Sequence, residues 1–431
     1  MPTLHRTHIP ARERQAVLWG GFAFVLIVAP LVFQSGLALT ALSQMGYMII
    51  ICLSYNLLLG QGGMLSFGHA VYTGLGAFCA AHALNHAGAE GVPLPVSLVP
   101  LVGGLGGAAV AAVLGWVSTR KAHVPFAMIT MGVGELVFAM TPMFPGLFGG
   151  EGGISTNRVV GEPVFGITFG PQIQLYYLIA TYCFACTALM FLFTATPLGR
   201  MLNAVRDNPE RVAFVGCDPQ TVRYIAFVIA GFFAGIGGGL FALNFELVQG
   251  SAVGGLTSAS YLLYTYIGGT LLFFGPIIGA ILSVLVGVLL SEFTKAWALY
   301  LGLAFMLIVM YAPGGLSAIL MANLRVAASG KFSRLVKPGS ALLAATPVWL
   351  AGVTSLVEMT YHRQIHAPLN PTFRHFGVLL DVSDGADWAG AAALAIVGGV
   401  LFECARRGFV RHWRMVQEEM HALEPGAEGA S

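Results

Sequence analysis

Side chains able to do chemistry are few in this 431-residue sequence, and they fall into two groups. Polar residues interrupt apolar runs at Asn56, Gln61, Ser66 and His69, around the glycine-rich GQGGMLSFGHA, and at Glu135, an acidic side chain in the middle of a long apolar run. The second group is residues 196–223, where Arg200, Arg206, Asp207, Glu210, Arg211, Asp218 and Arg223 crowd together in a chain only 9% charged. Catalysis asks for more than this. His69 has no second ligand at i+3 or i+4, so a metal site is not indicated. Cys183 and Cys186 form a CxxC without a second pair, and with Cys52, Cys79, Cys217 and Cys404 they read as small structural residues. His362, His366 and His375 read as a solvated loop. Nucleotide binding fares no better: Lys331 in SGKF lacks the upstream glycine of a phosphate-binding loop, and Gly235 to Gly239 follows no strand. We therefore expect no catalytic residue, metal or cofactor; if ATP drives this protein, another chain binds it.

Conduction is what remains. An ionised, lipid-facing Glu135 would cost about 2.5 kcal/mol or more, so it is expected to face the bundle interior. There it would line or gate a path, or make an interhelical hydrogen bond with its carboxyl protonated. Unwound backbone with polar side chains is tolerated at membrane depth only where it is buried in protein or faces a watery cavity. Asn56, Gln61, Ser66 and His69 are accordingly candidates for lining the same path, with interhelical hydrogen bonding as the alternative.

Membrane helices must hold these residues. The chain is 57% hydrophobic, too poor in polar surface for a water-soluble fold, and its 21 Lys+Arg against 19 Asp+Glu argue against nucleic acid as a partner. Crossing a bilayer takes about 20 apolar residues, and that measure predicts an all-α, polytopic integral membrane protein of about ten transmembrane helices, some broken, plus two extra C-terminal helices. The spans fall near 17–33, 37–59, 60–84, 92–117, 124–143, 175–193, 225–247, 261–274, 277–290 and 298–311, then 341–356 and 388–404. Small residues at every fourth position (Gly103, Gly107, Ala111, Gly115; Gly231, Gly235, Gly239) would let helices approach closely in lipid. Gly275-Pro276 predicts a kink or a helix-turn-helix. GGMLSFGHA (62–70) and GGTLLFFGP (268–276) echo one another, as the halves of repeat-built transporters do.

Lys and Arg gather in the N-terminus, at Arg120 and Lys121, in 196–223, in 325–337 and in 406–414. The intervening loops 85–91, 149–174 and 248–258 hold only Arg158, and 291–297 adds Lys295. The positive-inside rule then makes both termini and residues 196–223 cytoplasmic. A basic start without an A-x-A-like site reads as a retained first helix. The expected organisation is a cytoplasmic N-terminus (1–16), a transmembrane domain (17–318), a basic linker (319–340), a two-helix segment with an outer loop (341–405) and a cytoplasmic tail (406–431). Within 196–223, helical spacing over 198–205 and 209–216 flanks Asp207-Asn208-Pro209, a stop and an N-cap with proline at the first helical position. Two short helices joined by that turn would make a rigid knob able to dock a separate motor; an ordinary amphipathic loop is the alternative.

Four runs carry a family resemblance: GQGGMLSFGHAVYTGLGAFCAA, VPFAMITMGVGELV with the GGEGGIS loop after it, GRMLNAVRDNPERVAFVGCDPQTVRYIAFVIAGFFAGIGGGLFA, and GGTLLFFGPIIGA with its YAPGGL ending. Over about residues 37–318 they resemble the LivM-type permeases of branched-chain amino acid ABC importers. GELV followed by GGEGGI fits LivM better than its LivH-like partner. The resemblance implies a permease forming the translocation path for branched-chain amino acids, with urea, amides or aromatic acids as alternative solutes. As partners it implies ATP-binding cassette subunits, a second LivH-like permease and a periplasmic substrate-binding protein, at a bacterial inner membrane. It also implies docking of the ATP-binding subunit through Ala204, Arg206, Asp207, Asn208, Glu210, Arg211 and Gly216. Such permeases usually end soon after the YAPGGL-type segment, whereas this chain runs on for more than 100 residues. A stand-alone secondary transporter or channel is the reading from another class, and it would want more intramembrane charge than Glu135 alone. A membrane enzyme would want paired His, Asp or Glu ligands, which the core spans lack.

Overall fold

The computed structural model of the chain describes residues 11–90, 94–159, 168–294, 296–312, 314–329, 333–365, 372–375 and 378–422. Expectations that concern residues 1–10, Lys295, Pro313, Lys331, His366 and residues 423–431 lie outside them.

Helix α1 (Ala11–Val32) precedes α2 (Gly36–Asn56), whose start is capped by the Ser35 hydroxyl accepting from the Ala38 amide at 3.2 Å. α2 widens into one π-helical turn, Leu57–Gln61, and the chain then runs without helix to α3 (His69–Glu90). That is the broken segment expected from its glycines, and Gly63 sits in it at φ 64°, a conformation glycine adopts without strain. α4 (Val99–Ser118), α5 (His123–Met143) and the single turn α6 (Pro145–Phe148) lead to a loop whose strand β1 (Ile154–Ser155) pairs antiparallel with β2 (Leu247–Val248). α7 (Gln172–Ala195) crosses to the far end of the bundle, where the short α8 (Pro197–Asp207) and α9 (Pro209–Phe214) lie. α10 (Pro219–Phe245) returns to β2. α11 (Gly255–Gly268) and α12 (Gly275–Phe293) follow, and the chain is non-helical between them with Pro276 in the first turn of α12; the sequence alternatives resolve to helix-turn-helix. α13 (Trp297–Tyr311), α14 (Gly315–Ala328), α15 (Ser333–Ile365) and α16 (Gly385–Ala422) complete the order. Much of the stretch expected to be a linker, 319–340, is therefore helical.

Seven described helices are long and apolar enough to cross a membrane, or eight if α13 and α14 count as one bent span. Each expected span has a helix, but the count of ten plus two is not reached by length and composition, because α11 is only 14 residues long and α1 and α12 have short apolar runs. α3 misses for another reason. It is enclosed by other helices along most of its length, so it needs no lipid-grade side chains.

By its contacts the chain divides into two compact units, Met1–Leu289 with Leu301–Ala318, and Leu290–Tyr300 with Ile319–Ser431. The first is built around α3, α4 and α10, whose glycine stripes meet face to face. A methyl group on Gly107 would lie 2.5 Å from the Gly231 carbonyl oxygen, and one on Gly103 would lie 2.7 Å from that of Gly235. Backbone-to-backbone contact of this kind is what small-xxx-small spacing permits in lipid. In the second unit α15 packs along α16, and β3 (Thr372–His375) pairs antiparallel with β4 (Val378–Asp381) between them. Glu358 of α15 accepts from the hydroxyls of Thr294 and, at 3.3 Å, Tyr300, while Arg334 spans both carboxylate oxygens of Glu419 at 2.9 and 3.0 Å.

Candidate functional site

The break after α2 gathers most of the polar residues singled out in the sequence. Asn56, Ser66 and His69 are buried there, with Gln61 half-buried at its edge. The Ser54 hydroxyl lies 2.8 Å from the Ile51 carbonyl and 2.9 Å from His69 Nε2, with which it shares a hydrogen bond. Three bonds stitch the break to its neighbours: the Tyr55 hydroxyl donates to the Ser66 carbonyl at 2.8 Å, the Phe67 amide to Thr130 Oγ1 at 3.2 Å, and the Ala70 amide to Ser258 Oγ at 3.0 Å. Several groups are left over. Both amide atoms of Asn56, Ser66 Oγ, His69 Nδ1 and the Tyr72 hydroxyl are buried without a protein partner. A buried group so left costs about 1–3 kcal/mol, so this segment has more polar capacity than its static packing uses.

Two cavities flank the region. One of about 460 Å³ lies between α3, α10, α11 and the loop after β2, lined by Thr73, Ala77, Phe241, Phe245, Ala252 and Tyr261 among others. A second, about 430 Å³, lies between the break, the start of α5 and α11, with Leu65, Phe67, His123, Met128, Met131 and Tyr266 on its walls. Mostly apolar walls with a few hydroxyls suit a small solute with an aliphatic body. Above the first cavity the GGEGGIS loop is pinned down by the β1–β2 pairing and by Arg158, whose amide donates to Glu246 Oε1 at 2.9 Å and whose guanidinium donates to the Gly170 carbonyl at 2.9 Å.

Glu135 does not join this cluster: on this chain alone its side chain is exposed, outside the buried stripe of α5. The inward stripe of α5 is Phe126, Ala127, Thr130, Gly134, Val137 and Thr141, and Glu135, one residue beyond Gly134, falls outside it. Its side chain is exposed on this chain, with Oε1 only 2.7 Å from where a methyl group on Gly255 would sit.

At the far end, three helices in succession begin with a capping side chain followed by proline. Thr196 Oγ1 accepts from the Gly199 amide at 3.2 Å, and Asn208 Oδ1 accepts from the Arg211 amide at 3.0 Å. Asp218 accepts from the amides of Gln220 and Thr221 at 3.2 and 3.0 Å. The Thr221 hydroxyl, then these amides, hold the Asp218 carboxyl below its ordinary range. Prolines 197, 209 and 219 occupy first-turn positions, where no amide partner is lost. Leu202, Val205 and Val212 are buried and anchor the pair of short helices. Ala204, Asp207, Glu210, Arg211 and Gly216 are exposed, and Asn208 is half-buried. Arg206 is different: its guanidinium donates to the Gly60 carbonyl in the π-turn. Sequence reasoning missed two residues here, Phe214 and Val215, which are 90% and 81% exposed at the end of α9. Their signal was present in VAFVGC, where apolar side chains outnumber what one buried stripe can absorb.

Comparison with known proteins agrees with this architecture. Residues 37–312 match the family described as branched-chain amino acid transport system / permease component. The high-affinity branched-chain amino acid transport system permease protein LivM of Escherichia coli (strain K12) is 29% identical over 316 residues, 68% of this chain and 72% of the relative. LivM of Salmonella typhimurium (strain LT2) is 27% identical over 333 residues, 72% of this chain and 77% of the relative. No solved structure matches the chain at a comparable level. With the family matched over more than half of its length and the polytopic helical fold in place, the chain belongs to the permease components of branched-chain amino acid transport systems.

Proposed function

We propose that this permease forms part of the translocation path for branched-chain amino acids in a bacterial inner membrane, with α8 and α9 docked on a separate ATP-binding subunit. The observation that carries the proposal is the knob itself: two capped, proline-started helices ending in solvent-exposed Phe214 and Val215, flanked by exposed Asp207, Glu210 and Arg211. Large apolar side chains bare to water within a charged surface mark a protein-docking site. The chain has no phosphate-binding loop, so hydrolysis falls to the partner. A LivH-like permease would complete the pore and a periplasmic binding protein would deliver the solute. Basic clusters at 196–223, 325–337 and 406–414 support cytoplasmic termini.

The solute is tested by reconstituting the native complex in vesicles and measuring ATP-dependent uptake of labelled leucine against unlabelled leucine, urea and benzoate. Competition by leucine alone is expected. Competition by urea or benzoate alone would reassign the solute while keeping the machinery.

A further inference from the structure

We infer that Arg206 is a transmission residue which fastens α8 to the breaks in the membrane core, rather than a contact for the ATP-binding subunit. The inference rests on the proposed docking of α8 and α9 and says how a movement there would reach the path.

Three observations carry it. First, Arg206 is exposed on the knob, with 39% of its side chain accessible, yet its guanidinium reaches back to the π-turn. Its Nη1 donates to the Gly60 carbonyl, while Asp207 Oδ1 holds the other side of the guanidinium, accepting from Nε at 3.0 Å and lying 2.9 Å from Nη2. A charge-assisted bond to a carbonyl at a helix terminus is stronger than a neutral one, and the carboxylate fixes its direction. Second, Leu202 and Arg206 are four residues apart on one face of α8, and each is seated on a glycine. A methyl group on Gly62 would lie 3.1 Å from Leu202 Cδ1, and one on Gly63 would lie 2.8 Å from Arg206 Cγ. Gly63 also needs its positive φ, so the seat admits no side chain for two independent reasons. Third, Gly60, two residues before the first echoing segment, touches the second. A methyl group there would lie 2.6 Å from the Thr270 carbonyl oxygen, in the non-helical run between α11 and α12, and would collide with the Asn56 side chain. One guanidinium thus holds the Gly60 carbonyl, at the place where the two breaks touch.

The mechanical consequence follows from stiffness. α8 is 11 residues long, capped by Thr196 and anchored by Leu202 and Val205, so it moves as a body. Helix ends at Gln61, so Gly62 and Gly63 have no continuous helix to resist displacement, and glycines change conformation at low cost. Displacement of α8 is therefore absorbed at the break next to Asn56, Ser66 and His69.

The test uses the whole complex in vesicles. Arg206→Met keeps the aliphatic stem over Gly63 and removes the guanidinium. The ATP-binding subunit is expected to co-purify as with wild type, while ATP hydrolysed per solute imported rises about tenfold. Arg206→Lys keeps a donor within reach and is expected to restore most of the coupling. Gly63→Ala provides a second variant should Arg206→Met not accumulate. It is expected to raise the same ratio, and the double variant to be no worse than the worse single one, since both break one link. A role in stability alone would lower thermal stability and leave the ratio unchanged, which would overturn the inference. So would loss of the ATP-binding subunit from Arg206→Met, because Arg206 would then be a docking residue. Absence of that subunit from the wild-type complex would instead remove the docking proposal, and this inference with it.

Discussion

Substitution of Gly107 by alanine tests the central packing of the permease. The new methyl group would lie 2.5 Å from the Gly231 carbonyl oxygen, 2.8 Å from Gly235 Cα and 3.1 Å from Gly235 N, all of them α10 backbone that no rotamer change can move. Restoring an ordinary contact of about 3.4 Å requires α4 and α10 to part by about 0.9 Å, and a gap of that size forfeits roughly a quarter to a half of each dispersion contact along the stripe. Overpacking of this kind costs about 1–3 kcal/mol, and the rigid backbone target places Gly107→Ala at about 2–3. In a chain this large that corresponds to a fall of about 2–3 °C in the midpoint of thermal unfolding in detergent, read by size-exclusion chromatography after heating. Gly132→Ala is the control, since nothing lies within 4 Å of a methyl group there. Equal midpoints for the two variants would refute the account of α4 and α10 as a glycine-mediated contact.

Other expectations concern the knob and the first cavity. Asn208→Ala removes the cap of α9 at about 1 kcal/mol, so the ATP-binding subunit should wash off at lower salt than from wild type. The carboxyl of Asp218 is held below its ordinary range, so its contribution to stability is full above about pH 4 and fades only as pH falls through the depressed value. The gap in thermal midpoint between wild type and Asp218→Asn should therefore be constant from about pH 5 to 8 and narrow in acid. Ala252→Trp places an indole in the cavity between α3, α10 and α11, and should abolish uptake while the ATP-binding subunit still co-purifies.

Local signals carried much of this structure. Apolar length and glycine spacing pointed to the helices and to the two stripes that meet, because close approach in lipid depends on residue size alone. The Asn208-Pro209 step placed a helix start because capping is a contact within one turn, and the Thr196-Pro197 and Asp218-Pro219 steps carry the same local signal unread. What could not be read depends on partners distant in the chain. Arg206 reaches the π-turn only because Gly60 arrives beside it, and no period in 196–223 encodes that. Energetics alone do not say which face of α5 this chain covers: its buried stripe is chosen by its neighbours and runs through Gly134, leaving Glu135 exposed on this chain. The hydropathy of α3 is modest because that helix is enclosed by protein, which apolar length alone does not reveal. The echo between 62–70 and 268–276 was faint as sequence but lies at two breaks that touch at Gly60 and Thr270.

The central claim, that this permease is coupled through α8 and α9 to an ATP-binding subunit, is tested most directly at Phe214. The wild-type chain and Phe214→Asp would be purified with their partners from the native membrane and the ATP-binding subunit quantified in each. Phe214 is almost fully exposed and holds no part of the fold, so the variant should remain folded. Retention of the subunit by wild type and at least a roughly tenfold loss from Phe214→Asp is the predicted result. Equal retention by both, or solute uptake that persists in membranes lacking any ATP-binding subunit, would contradict it.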